Sequence, residues 1–120
     1  SAYAQENPRE FELPQGDTTY IMKQYFMVFL HSGSERSQDS AAAMRIQNAH
    51  LNHLDSLAQA GFITMVGPFG DSESPGGIAI YDTDSAEEAR ALAEADPAVK
   101  ANRLRVEVRP WWCAKGSILK

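Results

Sequence analysis

The chain of 120 residues holds one cysteine, Cys113. A lone thiol excludes an internal disulfide framework and a thiolate metal cage. Cys113 reads as a small packing residue rather than a nucleophile. Long apolar runs are missing too. The longest, Tyr25 to Leu30, falls far short of the roughly 20 residues that a membrane-spanning helix needs, so no membrane association is expected. Basic clusters are absent: 11 Lys and Arg stand against 16 Asp and Glu, a net charge of −5, which argues against nucleic acid as a partner. Gly67-Pro68-Phe69-Gly70 and Gly76-Gly77 lack the lysine and the spacing of a phosphate-binding loop. No serine sits in a nucleophile elbow. Trp111-Trp112 come without a basic groove, which makes them packing or interface residues rather than a stacking platform.

What is present divides into an arm and one domain. Residues 1–20 carry Pro8, Pro14 and many polar side chains without apolar periodicity, so an extended, partly disordered arm is expected there, with the folded unit over 21–120. The opening Ser1-Ala2-Tyr3-Ala4 has the Ala-x-Ala form that signal peptidases read, and periplasmic export is the expectation it raises. The alternative is a chance Ala-x-Ala in a cytoplasmic protein.

Tyr25 to Leu30 predicts a strand apolar on both faces. Asp39 or Ser40 caps a helix over about 41–60 that stops at Gly61. Phe62 to Val66 and Gly77 to Tyr81 predict two further strands, separated by a Gly/Pro-rich turn. Ser85-x-x-Glu88 is a capping box for a second helix over about 86–95, and Asp96-Pro97 opens a short helical turn. Leu104 to Arg109 alternates as a half-exposed strand. The order β-α-β-β-α-β suits an α+β, ferredoxin-like fold, a four-stranded antiparallel sheet with both helices on one face. Two helices leave the other face uncovered although the first and third strands are apolar on both sides. A second copy of the sheet is the simplest cover, so a homodimer through that face is expected.

The candidates for chemistry are three histidines, His31, His50 and His53, and Asp96. On the first helix Met44, Gln47, Leu51, Leu54 and Ala58 share a face, which widens on one flank to include His50 and leaves His53 at its outer, exposed edge. A buried imidazole needs a partner. His50 is therefore either a core histidine bonded to a backbone carbonyl or a functional group. His50-x-x-His53 resembles half of a metal site, but no third ligand stands at a recognisable spacing, so no metal and no cofactor are expected. Asp96 before a proline has a sufficient explanation as a helix cap. Glu87, Glu88 and Glu94 read as a solvated face.

Several stretches together resemble the YCII-related family. They are Met22 to Leu30, Arg36 to Ser40, Ile46 to Leu51 with its Ala-His-Leu, Gly67 to Asp71, Glu87 to Arg90, Asp96 to Ala101 and Pro110 to Trp112. The likeness spans about 20–120 and rests on their order and spacing. It implies a ferredoxin-like fold that dimerises as an α/β barrel, with a His and an Asp in a pocket regarded as an active site. By motif these fall on His50 and Asp96. Asn102 stands where a glycine is expected, and Asn tolerates the left-handed conformation such a turn needs.

The function expected is an acid–base enzyme for a small molecule, of lyase, isomerase or dehydrohalogenase type. His50 would be the base and Asp96 its partner. Gln47 and Arg36 are candidates to position an anionic or carbonyl group, with Pro68 as a further substrate contact. The alternative is a non-catalytic small-molecule-binding or accessory dimer. A third reading makes His50 and Asp96 a purely structural lock between helices.

Overall fold

The computed structural model describes residues 8–120, so Ala2-x-Ala4 lies outside the described residues. The elements are β1 (Glu10–Gln15), β2 (Thr18–Ser32), α1 (Ser40–Gln59), β3 (Ile63–Pro68), β4 (Gly77–Tyr81), α2 (Ala86–Glu94), α3 (Pro97–Lys100) and β5 (Leu104–Ala114). From β2 onward the order is β-α-β-β-α-β with the one-turn α3 inserted before the last strand. All pairings are antiparallel. Val28 of β2 faces Ala79 of β4 on one side and Val108 of β5 on the other, and Ala79 in turn faces Val66 of β3. The resulting order β5-β2-β4-β3 is that of a ferredoxin-like sheet, and the fold class is α+β.

Local chemistry sets the helix ends. Asp39 caps α1 by accepting from the Ala42 amide at 2.8 Å, and Gly61 follows the helix at φ 88°, a left-handed value that glycine adopts without cost. Ser85 caps α2 by accepting from the Glu88 amide. Asn102 adopts φ 57°, so the turn after α3 forms with Asn in the left-handed region as the sequence allowed.

Alternate residues of β2 build the core. Phe26, Val28 and Leu30 join Ala79 and Tyr81 of β4 beneath Leu54 and Leu57 of α1 and Ala89 and Ala93 of α2. The two small alanines let α2 close onto the sheet. The opposite parity, Met27 and Phe29 on β2 with Ile78 and Ile80 on β4, faces away from the helices. Leu119, close to the C-terminus, reaches the margin of that side, next to Met65, Ile78 and Ile80.

Three expectations need adjustment. The sheet has five strands rather than four, because β1 pairs with the first residues of β2, from Gln15 opposite Thr18 to Glu10 opposite Lys23. Hydrogen-bonded structure thus begins upstream of Ile21. The signal missed was the Gly16-Asp17 turn between Phe11-x-Leu13 and Tyr20. The buried arc of α1 is also rotated from the expected stripe. Its buried residues are His50, Leu54 and Leu57, while Met44 is 66% and Leu51 51% exposed. The cause is the packing of α2 and α3 against the flank that carries His50 and His53. His53, expected at the exposed edge, is half-buried, and its Nε2 donates to the Leu92 carbonyl at 2.9 Å.

Candidate active site

α1 supplies one wall of a cavity of about 530 Å³ and the strand ends supply the other. Residues at positions 47, 50–51, 54–55 and 58 recur at helical spacing, so Gln47, His50, Leu51, Leu54, Asp55 and Ala58 all face it. Across the cavity stand Leu30, Val66, Pro68 and Leu104, with glycines at 67, 76 and 77. Gly77 is required by the strand pairing itself. A Cβ there would sit 2.9 Å from the Gly67 carbonyl oxygen and 3.3 Å from the Pro68 Cα. The β3–β4 end therefore closes tightly.

His50 sits where this cavity meets the core. Its ring is 8% exposed, and its Nδ1 lies 2.5 Å from Oδ2 of Asp96, which is 2% exposed. Asp96 is held by its place in the chain. As the cap of α3, with Pro97 at the first helical position, it accepts from the Ala98 amide through Oδ1 at 2.8 Å. One carboxylate thus caps a helix with one oxygen and takes the imidazole with the other. An ionised carboxylate only accepts, so Nδ1 is the donor in this pair, and in the neutral ring Nε2 is then the acceptor. The core-histidine alternative, a backbone carbonyl as partner, does not describe His50; it describes His53.

Tyr81 of β4, 2% exposed, lies close enough to Asp96 to feel its charge. Burial first, and the charge of Asp96 second, push its phenol far above the ordinary value, so it stays protonated at all physiological pH. The metal reading of His50-x-x-His53 finds the two rings bonded to different partners. Among the described residues no group of three or more His, Cys, Asp or Glu could hold a metal ion.

The other sequence candidates separate. Gln47 and Pro68 line the cavity with His50. Arg36 does not. Its guanidinium donates to the Arg103 carbonyl at 2.7 Å and staples the 33–38 loop to the turn after α3. The same junction is tightened by Gly33, whose amide donates to that carbonyl and whose Cβ, if present, would fall 2.2 Å from the Asn102 carbonyl oxygen. Asp55 and Leu104 were missed. Asp55 was legible: it stands four residues after Leu51 and eight after Gln47, on the face already identified. Leu104 belongs to β5, and only the closed sheet brings it to α1.

A domain model of the YCII-related family matches residues 25–112. The uncharacterised protein YjpA of Bacillus subtilis (strain 168) is 34% identical over 62 residues, covering 52% of this chain and 71% of that protein. Among solved structures, the 5-chloro-2-hydroxyhydroquinone dehydrochlorinase of Burkholderia phenoliruptrix AC1100, in complex with 2,5-dihydroxybenzoquinone, superposes with a TM-score of 0.50. It is 25% identical, and the match covers 72% of this chain and 92% of that one.

Proposed function

This chain belongs to the YCII-related family, and we propose that it is a small-molecule enzyme in which His50 is the general base and Asp96 its orienting partner. One observation carries the reading: a buried imidazole, bonded through Nδ1 to a buried carboxylate, stands on the wall of a cavity large enough for a substituted ring. Nε2 takes a proton from an acidic C–H or ring hydroxyl of the bound molecule. Asp96 stabilises the imidazolium that forms and keeps the ring from turning. The proton is returned to the product in an isomerisation. In a dehydrohalogenation the electron pair moves through the ring, and the halide leaves with the electrons of its bond. The likeness to a dehydrochlorinase supports this class of reaction and leaves the substrate to be identified.

The test is turnover of small hydroxylated and halogenated rings by wild type and His50→Ala. Loss of rate by about 100-fold or more with binding retained is the expected result. Ring 15N shifts of His50 should report an Nδ1-protonated tautomer in wild type that is lost in Asp96→Asn. A wild type that binds such rings without turnover would make the chain a binding module instead.

The uncovered sheet face supports a homodimer. Met27, Phe29 and Ile78 form an apolar strip there, and β5 presents Arg105 and Arg109 beside it on either side of Glu107, whose carboxylate is bonded to His31 of β2 at 2.8 Å. Light scattering should give twice the mass of the chain, and Phe29→Asp should give a monomer.

A further inference from the structure

The charges around the cavity restrict what it can hold. Its lining residues include one carboxylate, Asp55, and among them there is no Lys or Arg. The arginine nearest in sequence to a ligand-binding role, Arg36, is committed to the Arg103 carbonyl, and Arg103 in turn donates to Gln38 at 2.8 Å. Asp55 is exposed, and its Oδ2 accepts from Gln59 one turn later at 2.7 Å. Among the described residues its Oδ1 has no hydrogen-bond partner.

Position on α1 orders the polar groups. His50 lies on the core flank of the cavity-facing arc and Asp55 on the solvent flank, five residues or about 7.5 Å further along the helix axis. Gln47 lies between them in angle. A ligand spanning the cavity meets the His50 imidazole at its inner end, apolar leucines along its sides and an exposed carboxylate at its outer end. The volume suits one ring with substituents, since a cavity of about 150 Å³ already takes benzene.

We propose that Asp55 is a specificity-determining residue that selects uncharged, hydroxyl-bearing ring compounds and rejects carboxylated or otherwise anionic ones. Its carboxylate accepts a hydrogen bond from a ligand hydroxyl, and the same charge repels an anion that no lining cation compensates. The inference rests on the reading that this cavity binds a small molecule. It adds that the substrate enters neutral and is ionised only at the His50 end.

The experiment compares hydroquinone with 2,5-dihydroxybenzoate, which differs by one ionised carboxylate, by NMR titration of wild-type protein and Asp55→Asn. Wild type should bind hydroquinone the more tightly. Asp55→Asn should shrink that preference by about tenfold, the effect of removing one like charge roughly 6 Å from the anion at an intermediate dielectric. Gln47→Ala, which carries no charge change, should weaken both rings alike. An unchanged preference in Asp55→Asn, with both rings still binding, overturns the assignment and leaves the His50 reading standing. A wild type that binds neither ring overturns the ligand class, and turnover in His50→Ala then judges the base separately.

Discussion

The two halves of β2 live in different environments although they form one continuous strand. From Phe26 to Leu30 every second residue is buried beneath α1 and α2. From Thr18 to Tyr25 the same parity carries Tyr20 and Met22 onto a ribbon with β1 and the end of β5, where Phe11, Leu13 and Trp112 are each more than a third exposed. The ribbon accounts for much of the molecule's elongation, 57 Å against 27 and 24 Å. Backbone pairing is equally regular in both halves. What differs is the helix layer, and the polar pairs follow it. Under the helices His50 and Asp96 are almost closed to solvent; at the ribbon's root Arg9 and Asp82 pair at 17% and 28% exposure. The base proposed at His50 is served by the first setting, and a clamp that only holds a strand in place can use the second.

The largest break in this contrast should come from Asp96. Asp96→Ala removes the cap of α3 and strands a buried imidazole, and a cost of about 3–5 kcal/mol is expected in chemical denaturation. Asp96→Asn keeps a capping oxygen and should cost clearly less. If the two variants lost the same stability, the cap would be contributing little and the pairing with His50 nearly all. Packing comes next. Leu57→Ala opens a cavity between α1 and the sheet and should cost about 2–5 kcal/mol, whereas Leu13→Ala on the ribbon should stay within about 0.5 kcal/mol. A large effect at Leu13 would mean that the ribbon face is covered in solution.

These differences bear on how much could be read before the structure. The order of elements from Tyr25 onward was legible, because each boundary has a short-range cause: Asp39, Gly61, Ser85 and Asp96 each act on the next few residues. Periodicity placed His50 on the inner flank of its helix, and the family motif chose Asp96 from the acids; neither alone could show the two meeting across 46 positions of chain. The rotation of α1 was not legible. Hydrophobicity put Met44 and Leu51 at the centre of its buried face, but the helix turns toward α2 and α3, which gives Leu51 to the cavity and leaves Met44 exposed. The place of Arg36 was not legible for a related reason, because an exposed arginine in a loop gives no local sign that a backbone carbonyl from the turn after α3 will claim it.

The ribbon's attachment provides the finest test of the comparison. Asp82, just after β4, accepts from Arg9 at 2.8 Å and from Lys23 at 3.0 Å, tying the entry to β1 and the middle of β2 to the domain. Burial pushes this carboxyl up, but hydrogen bonds from the two cations, with their charges, push it down further, and its pKa lies below the ordinary carboxylate value. A carboxylate lowered in the folded state contributes stability that is fully present above the unfolded value near pH 4. That contribution is lost as pH falls through the lower folded value. Partial exposure limits it to about 0.5–1 kcal/mol at neutral pH. Asp82→Asn should therefore lower stability slightly at pH 7 and flatten the dependence of stability on pH below about 4, measured by denaturation at a series of pH values. Rates at the His50 site should not change in the same variant, because the clamp holds the ribbon and not the cavity. A fall in turnover in Asp82→Asn would show instead that the ribbon, through β2, helps to hold the pocket in shape.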